Sequence, residues 1–305
     1  MLIVKDLTFK YDKSIILDRI SLTAKAGEHI AIIGESGSGK STFLKLLYGE
    51  FDLFKGSIFW KDTQILGPSH NLVIGYSFMK YVAQEFDLMP YITVSENIGA
   101  FLSNFKLKEK QERIDELLAV VELSEFAQVK VQFLSGGQKQ RVALARAIAL
   151  HPEIILLDEP FSHIDNFKKQ SLRRNLFKFL KKHNITCIVA THDKDDVIAF
   201  SDKIMVLSQG KIVAKGTPKD LYKSPKTPLV ASFFGEYNHI ANHGIVYASQ
   251  IVVVNSSKMK AKVLHSYFQG KYYLIEASLN EQIILFESRI AYTKNTTVFL
   301  SIKKD

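Results

Sequence analysis

A single cysteine, Cys187, occurs in the 305 residues, so no intramolecular disulfide framework can form. It lies in the apolar run Ile185-Thr186-Cys187-Ile188-Val189-Ala190 and reads as a buried structural thiol. Long apolar runs are missing too. No stretch of about 18 apolar residues is present, which excludes an encoded transmembrane helix. The start, Met1-Leu2-Ile3-Val4-Lys5-Asp6, lacks a basic segment followed by an apolar one and a cleavage site, so a cytoplasmic protein is expected. There is no tandem repeat, no low-complexity tract and no dense Lys/Arg block. The net charge of +9 is spread among acidic residues, which describes a solvated surface better than a nucleic-acid arm. What remains is ordinary globular composition, with 47% hydrophobic residues, at a length that suits two domains.

Short β-rich runs open the chain, with Leu22-Thr23-Ala24 and His29-Ile30-Ala31-Ile32-Ile33 reading as strands. A glycine-rich loop leads into Ser41 to Tyr48, whose apolar residues have helical spacing. Residues 108–123 are strongly amphipathic, with Ile114, Leu117, Leu118 and Val121 on one side. A helix from about Gly137 to Leu150 comes next, followed by the apolar strand Ile154 to Leu157. A long helix between about Phe167 and Lys182 and a strand ending at Thr191 complete an α/β pattern with a mostly parallel sheet. Pro218, Pro225 and Pro228 then punctuate a connection ending near Gly235. Beyond it the runs Ile251–Val254, Lys262–Leu264, Tyr272–Ile275, Gln282–Phe286 and Val298–Ile302 predict a small β-barrel.

Gly34-Glu35-Ser36-Gly37-Ser38-Gly39-Lys40-Ser41 fits G-x-x-x-x-G-K-[ST], with an apolar strand before it and an amphipathic helix after it. Glycines let the backbone curl round phosphates at the positive end of a helix. Lys40 brings an ammonium to the β- and γ-phosphates, and the Ser41 hydroxyl is a ligand for Mg²⁺. These features describe a P-loop NTPase. A second apolar strand ends in Asp158-Glu159, adjacent carboxylates that repel unless a cation is near. Asp158 suits the Mg²⁺ shell, and Glu159 is placed to orient or deprotonate an attacking water.

Leu134-Ser135-Gly136-Gly137-Gln138, followed by Lys139-Gln140-Arg141, resembles the signature sequence of ABC (ATP-binding cassette) ATPases. It is a second anion-binding helix start in one chain. The resemblance implies why there are two. In that family the signature of one subunit, here Ser135, Gly136, Gly137 and Gln138, covers the γ-phosphate held by the P-loop of the other, across a two-fold dimer. It also implies that Tyr11 stacks on adenine, that Gly34 to Ser41 with Thr42 bind the phosphates of ATP, and that Gln84 contacts metal and water. Gln84 leads into a transporter-facing segment, Phe86-Asp87-Leu88-Met89-Pro90. His192 matches the switch histidine that reads the γ-phosphate, and Asp165 ends the loop that communicates across the dimer. The implied sites are therefore Glu159, His192 and Gln84 for catalysis, and Ser41, Gln84 and Asp158 for Mg²⁺. Three places depart from the family pattern. His163-Ile164 stands where a small residue and leucine are usual, Asp196-Val197 where Glu-Ala is common, and Gly67 to Val82 is long.

The resemblance covers residues 1–235 and implies an α/β P-loop cassette, a mixed-sheet core with a helical subdomain at about 86–150. Residues 236–305 resemble a shortened form of the small TOBE-like (OB-like) β-barrel carried by importer ATPases for mineral and organic ions. The implied protein is a homodimer, or a heterodimer with another ABC subunit, on the cytoplasmic face of the membrane. Its partners would be permease subunits and an external substrate-binding protein, with no nucleic acid. Two alternatives share the cassette: an exporter ATPase, and a soluble ATPase acting on nucleic acid or ribosomes. Residues 237–305 hold eight Lys/Arg against four Asp/Glu, which keeps the second of these open.

Overall fold

Alternating apolar residues in β1 (Leu2–Tyr11) pair antiparallel with β2 (Ser14–Ala24) across a tight turn in which Asp12 has φ 49°. The computed structural model describes residues 1–303 of the chain. β3 (His29–Ile33) is buried along its whole length and runs into the glycine-rich loop and α1 (Lys40–Tyr48). β4 (Lys55–Trp60) returns to the free edge of β1 and takes β5 (Thr63–Gln64) on its far side. This gives an antiparallel sheet of order β2-β1-β4-β5.

The central sheet assembles from β3, β6 (Met79–Val82), β7 (Ile154–Asp158), β8 (Thr186–Ala190), β9 (Lys203–Ser208) and β10 (Lys211–Gly216). Its order is β10-β9-β3-β8-β7-β6, and every pairing is parallel except β9 with β10. The uninterrupted apolar runs of β3, β7 and β8 are explained by burial on both faces. Cys187 lies in β8, fully buried, and burial pushes its thiol well above the usual range.

Between β6 and β7 the chain makes α2 (Val94–Gly99), α3 (Leu107–Val120) and α4 (Gly136–Ile148). A capping box between Thr93 and Glu96 starts α2. α3 buries Ile114, Leu117 and Leu118, the stripe expected from the sequence. α5 (Asn166–Lys182) and α6 (Lys194–Phe200) connect the later strands. The long stretch before β6 is held by side chains. Leu66 N donates to Tyr76 Oη at 2.7 Å, and Ser69 Oγ donates to Asp52 at 2.6 Å.

The chain divides into two compact units, residues 1–218 and 219–305. The sequence reading put this boundary after Gly235; the structure puts it after Pro218. Two short helices, α7 (Pro218–Lys223) and α8 (Pro228–Phe234), account for the difference. Tyr222 stacks on Tyr247 at 4.8 Å and meets Phe234 edge-on at 5.7 Å, which ties both helices to the β-rich unit. Isolated aromatics in a proline-marked stretch carry no periodicity, so this packing is invisible in the sequence.

The second unit has a hairpin, β11 (Tyr237–Ile240) with β12 (Gly244–Tyr247), and five further strands. These are β13 (Ile251–Val254), β14 (Met259–Phe268), β15 (Tyr273–Leu279), β16 (Gln282–Ser288) and β17 (Thr297–Ile302), in antiparallel order β13-β17-β14-β15-β16. One apolar core, including Val246, Ile251, Val263, Ile275, Phe286 and Leu300, fills the unit. The buried Asn238 joins hairpin to sheet. Its Nδ2 donates to Leu285 O at 2.8 Å, and its Oδ1 accepts from Leu285 N at 2.7 Å. The side-chain amide thus supplies a ladder rung at the β16 edge, as a small barrel requires. The last two residues of the expected domain, 304 and 305, lie outside the described residues.

Candidate nucleotide site

Parallel strands deliver their carboxyl ends to one edge of the central sheet, where ligands of open α/β sheets bind. The register explains which residues meet there. Val82 pairs with Leu157, so Gln84 leaves β6 level with Glu159. Asp158 pairs with Ala190, and Ala190 with Ile32, so His192 and the glycine-rich loop emerge beside the two carboxylates.

Gly39, at φ 101°, precedes Lys40 in a conformation that disfavours any side chain, and no side chain caps the start of α1. The first backbone N–H groups of that helix are left for an anion. Lys40 Nζ arches over the loop, donating to Gly34 O at 2.8 Å and Glu35 O at 2.9 Å. Partial burial holds its amine below the ordinary range, outweighing the opposite pull of Glu159 and Asp158. Ser38 Oγ is buried in the loop with no hydrogen-bond partner among the described residues.

A cavity of about 510 Å³ opens here. Of the residues expected from the sequence, Tyr11, Ser36, Gly37, Gly39, Lys40, Ser41, Thr42, Gln84, Glu159 and His192 line it. Gly34, Glu35 and Ser38 belong to the same loop but not to the wall. Tyr11 is 44% exposed at the rim, its ring nearly perpendicular to Phe9 at 4.8 Å and to Phe51 at 5.6 Å.

Asp158 is buried at the end of β7, and Tyr81 Oη donates to its Oδ2 at 3.2 Å. Burial, with the Asp158 charge beside it, keeps the Tyr81 phenol protonated far above its usual range. Glu159 adopts φ 50° and its N donates to Ala190 O at 2.9 Å. His192 Nδ1 lies 2.9 Å from Glu159 Oε1. A mostly buried carboxylate thus meets an exposed imidazole at the cavity wall.

The signature residues are elsewhere. Ser135 caps α4 by a reciprocal box, with Gln138 N donating to Ser135 Oγ at 3.3 Å and Ser135 N donating to Gln138 Oε1 at 2.8 Å. A side chain at Gly136 would meet nothing within 4 Å. Ser135, Gly136, Gly137 and Gln138 line no part of the cavity. The start of α4 and the start of α1 therefore do not share a pocket.

Two supporting residues escaped the sequence reading. Gln140, 1% exposed, donates from Nε2 to Glu159 O at 3.0 Å and accepts from His163 N at 3.1 Å, tying α4 to the turn that carries Glu159. Arg173 of α5, 2% exposed, pairs with Asp193 and Asp196 and stands 3.7 Å from Asp195. Thr191 Oγ1 donates to Asp196 Oδ2 at 2.9 Å and accepts from Asp193 N at 3.0 Å. The turn carrying His192 is thereby fixed on both sides. Burial pushes the Asp196 carboxyl up to about 6 despite the arginine. The aspartate cluster after His192 was the only hint in the sequence; its arginine lies a whole helix away.

This fold and this site define a P-loop nucleotide hydrolase of cassette type. The ABC transporter family model matches residues 17–162. The Fe(3+) ions import ATP-binding protein FbpC 2 of Haemophilus influenzae is 39% identical over 77% of this chain and 67% of its own length. The spermidine/putrescine import ATP-binding protein PotA of Bacillus cereus is 36% identical over 85% of this chain and 79% of its own. Among solved structures, the dimeric post-hydrolysis state of the ATP-binding cassette MJ0796 bound to ADP and Pi superposes with TM-score 0.63 at 30% identity. It covers 72% of this chain and 99% of that one. The protein belongs to the ABC transporter family and is an ATP-binding, ATP-hydrolysing subunit of it.

Proposed function

We propose that the chain energises import of a mineral or organic ion through a membrane permease, with Glu159 receiving the proton of the attacking water. The observation that carries the chemistry is the Glu159–His192 pair at 2.9 Å, on the wall that also holds Lys40, Ser41 and Gln84. ATP lies with its adenine on Tyr11 and its phosphates on the start of α1. Lys40 turns from the loop carbonyls to the β- and γ-oxygens, the charge-assisted contact its ammonium makes best. Glu159 takes a proton from water as the oxygen attacks the γ-phosphorus, and ADP leaves with its own oxygen. His192, hydrogen-bonded to that carboxylate, orients it and senses the γ-phosphate.

The donor set fits Mg²⁺: Ser41, Asp158 and Gln84 offer hard oxygens, and two adjacent carboxylates call for a cation. No group of three or more His, Cys, Asp or Glu among the described residues is placed to hold a metal. The ion would thus share its shell with phosphate and water, and it would neutralise charge on the phosphate oxygens.

A second copy is needed, because Ser135 and Gly136 present their helix start away from the cavity of their own chain. The permease would sit in a separate cleft of about 490 Å³, lined by Tyr48, Phe86, Leu88, Phe101 and Arg146. No helix among the described residues is long and apolar enough to cross a membrane. The chain would attach to the cytoplasmic face through the permease. Import is favoured by the names of the relatives above, and the cargo class follows theirs.

Glu159→Gln tests the chemistry. Nucleotide affinity should persist while steady-state hydrolysis falls by about a hundredfold or more, the scale of a lost general base. Hydrolysis at the parent rate would refute the role given to Glu159.

A further inference from the structure

The His163 ring is engaged from two sides. Its Nδ1 lies 3.1 Å from Ser162 Oγ, and Ser162 Oγ donates to Glu159 O at 3.0 Å. The Ser162 hydroxyl thus links the His163 ring to the Glu159 carbonyl, which also accepts from Gln140 Nε2 at 3.0 Å. The other face of the arrangement is Phe86, whose ring meets the imidazole edge-on at 5.5 Å and 78°. The His163 backbone is clamped as well. Its N donates to Gln140, and its carbonyl oxygen would lie 2.6 Å from any β-carbon at Gly137.

Phe86 follows Gln84 by two residues. Gln84 lines the nucleotide cavity, whereas Phe86 lines the second cleft. Glu159, at φ 50°, holds a backbone conformation that persists only under support from its surroundings. Part of that support is the chain Phe86 ring, His163 ring, Ser162 hydroxyl, Glu159 carbonyl.

We propose that His163 is a positioning residue for hydrolysis, coupling the placement of Glu159 to the position of the Phe86 segment. It acts through Ser162 and touches neither water nor nucleotide. The proposal rests on the reading of Glu159 as the acceptor of the water proton. Displacing Phe86 from the second cleft would then alter the rate at Glu159 without altering how tightly ATP is held.

The test is steady-state ATP hydrolysis by the full chain, with kcat and KM resolved for His163→Ala, Phe86→Ala, the double variant and Glu159→Gln. His163→Ala should lower kcat about tenfold, short of the ~100-fold that a misplacement of about 1 Å can cause. KM for ATP should stay within about twofold. Phe86→Ala should lower kcat about threefold, and the double variant should be no slower than His163→Ala alone, as residues in one chain of contacts are not additive. A merely structural loss would instead move affinity and rate together. If His163→Ala fails to fold by circular dichroism, His163→Phe serves: it keeps a ring, lacks the nitrogen that meets Ser162 Oγ, and should also be slowed. Parental kcat in a folded His163 variant, or effects that multiply in the double variant, would overturn the proposal while Glu159→Gln remains slow. Parental kcat in Glu159→Gln would instead remove the assignment beneath it.

Discussion

Buried polar side chains do different work in the two units. In residues 1–218 one group of them gathers behind the carboxyl ends of the central strands: Asp158, Gln140, Arg173 and Asp196 are each 5% exposed or less. In residues 219–305 the buried amide of Asn238, 6% exposed, completes a sheet edge, and the buried Tyr247 hydroxyl has no hydrogen-bond partner among the described residues. Burying a charge is costly unless it is paired, so a fold that concentrates charges at one edge is holding side chains there for chemistry. A lone satisfied amide does no more than close a sheet. The contrast separates residues whose loss should disturb catalysis from one whose loss should disturb stability alone.

The largest effect should come from Arg173→Ala. It leaves Asp193 and the buried Asp196 without their cation, and breaking such a pair costs about 3–5 kcal/mol. Chemical denaturation should show that loss, and hydrolysis by the folded fraction should fall because the His192 turn is released. Unchanged kcat would mean that this charge cluster is only scaffolding.

A smaller effect belongs to Asp196 itself. Its folded value, raised to about 6 from 3.8, means the native state holds a proton there that the unfolded state has released. The resulting stability is fully present below about pH 4 and is lost as pH rises through about 6, amounting to roughly 2–3 kcal/mol. Asp196→Asn should remove that slope. Stability curves of parent and variant should diverge between about pH 4 and 6 and run parallel above about 7. Parallel curves throughout would contradict the burial argument.

Asn238→Ala should cost least, about 1–3 kcal/mol for leaving the Leu285 N–H and C=O unpaired at a buried edge. Denaturation of the second unit should shift while ATP affinity and kcat stay at parental values. A drop in kcat would erase the distinction between the units.

How much of this was legible in the sequence follows the same division. The glycine-rich loop, Asp158-Glu159 and the Ser135 to Gln138 helix start were readable because each packs its chemistry into a few consecutive residues beside a strand or helix of clear periodicity. The five strands from Ile251 to Ile302 were readable for the same reason. Gln140 and Arg173 were not, since each acts on a turn about twenty residues further along the chain, and helical spacing alone does not say which turn a buried polar group will reach. The Asn238 contact spans 47 residues. Tyr222 and Phe234 moved the unit boundary through stacking that no local pattern announces. The separation of the signature from the cavity also needed the fold, although the resemblance to ABC ATPases had implied a second copy.

With the proposed second copy, each chain would carry half of each of two sites. The direct measurement is the mass of Glu159→Gln in solution with ATP and Mg²⁺, beside the same protein carrying Ser135→Arg. Uncleaved nucleotide bridging a P-loop and a partner's signature should shift Glu159→Gln to dimer. An arginine at Ser135, the N-cap of α4, should place bulk where the γ-phosphate must sit and keep the protein monomeric. Equal dimer formation by both proteins would contradict the shared site.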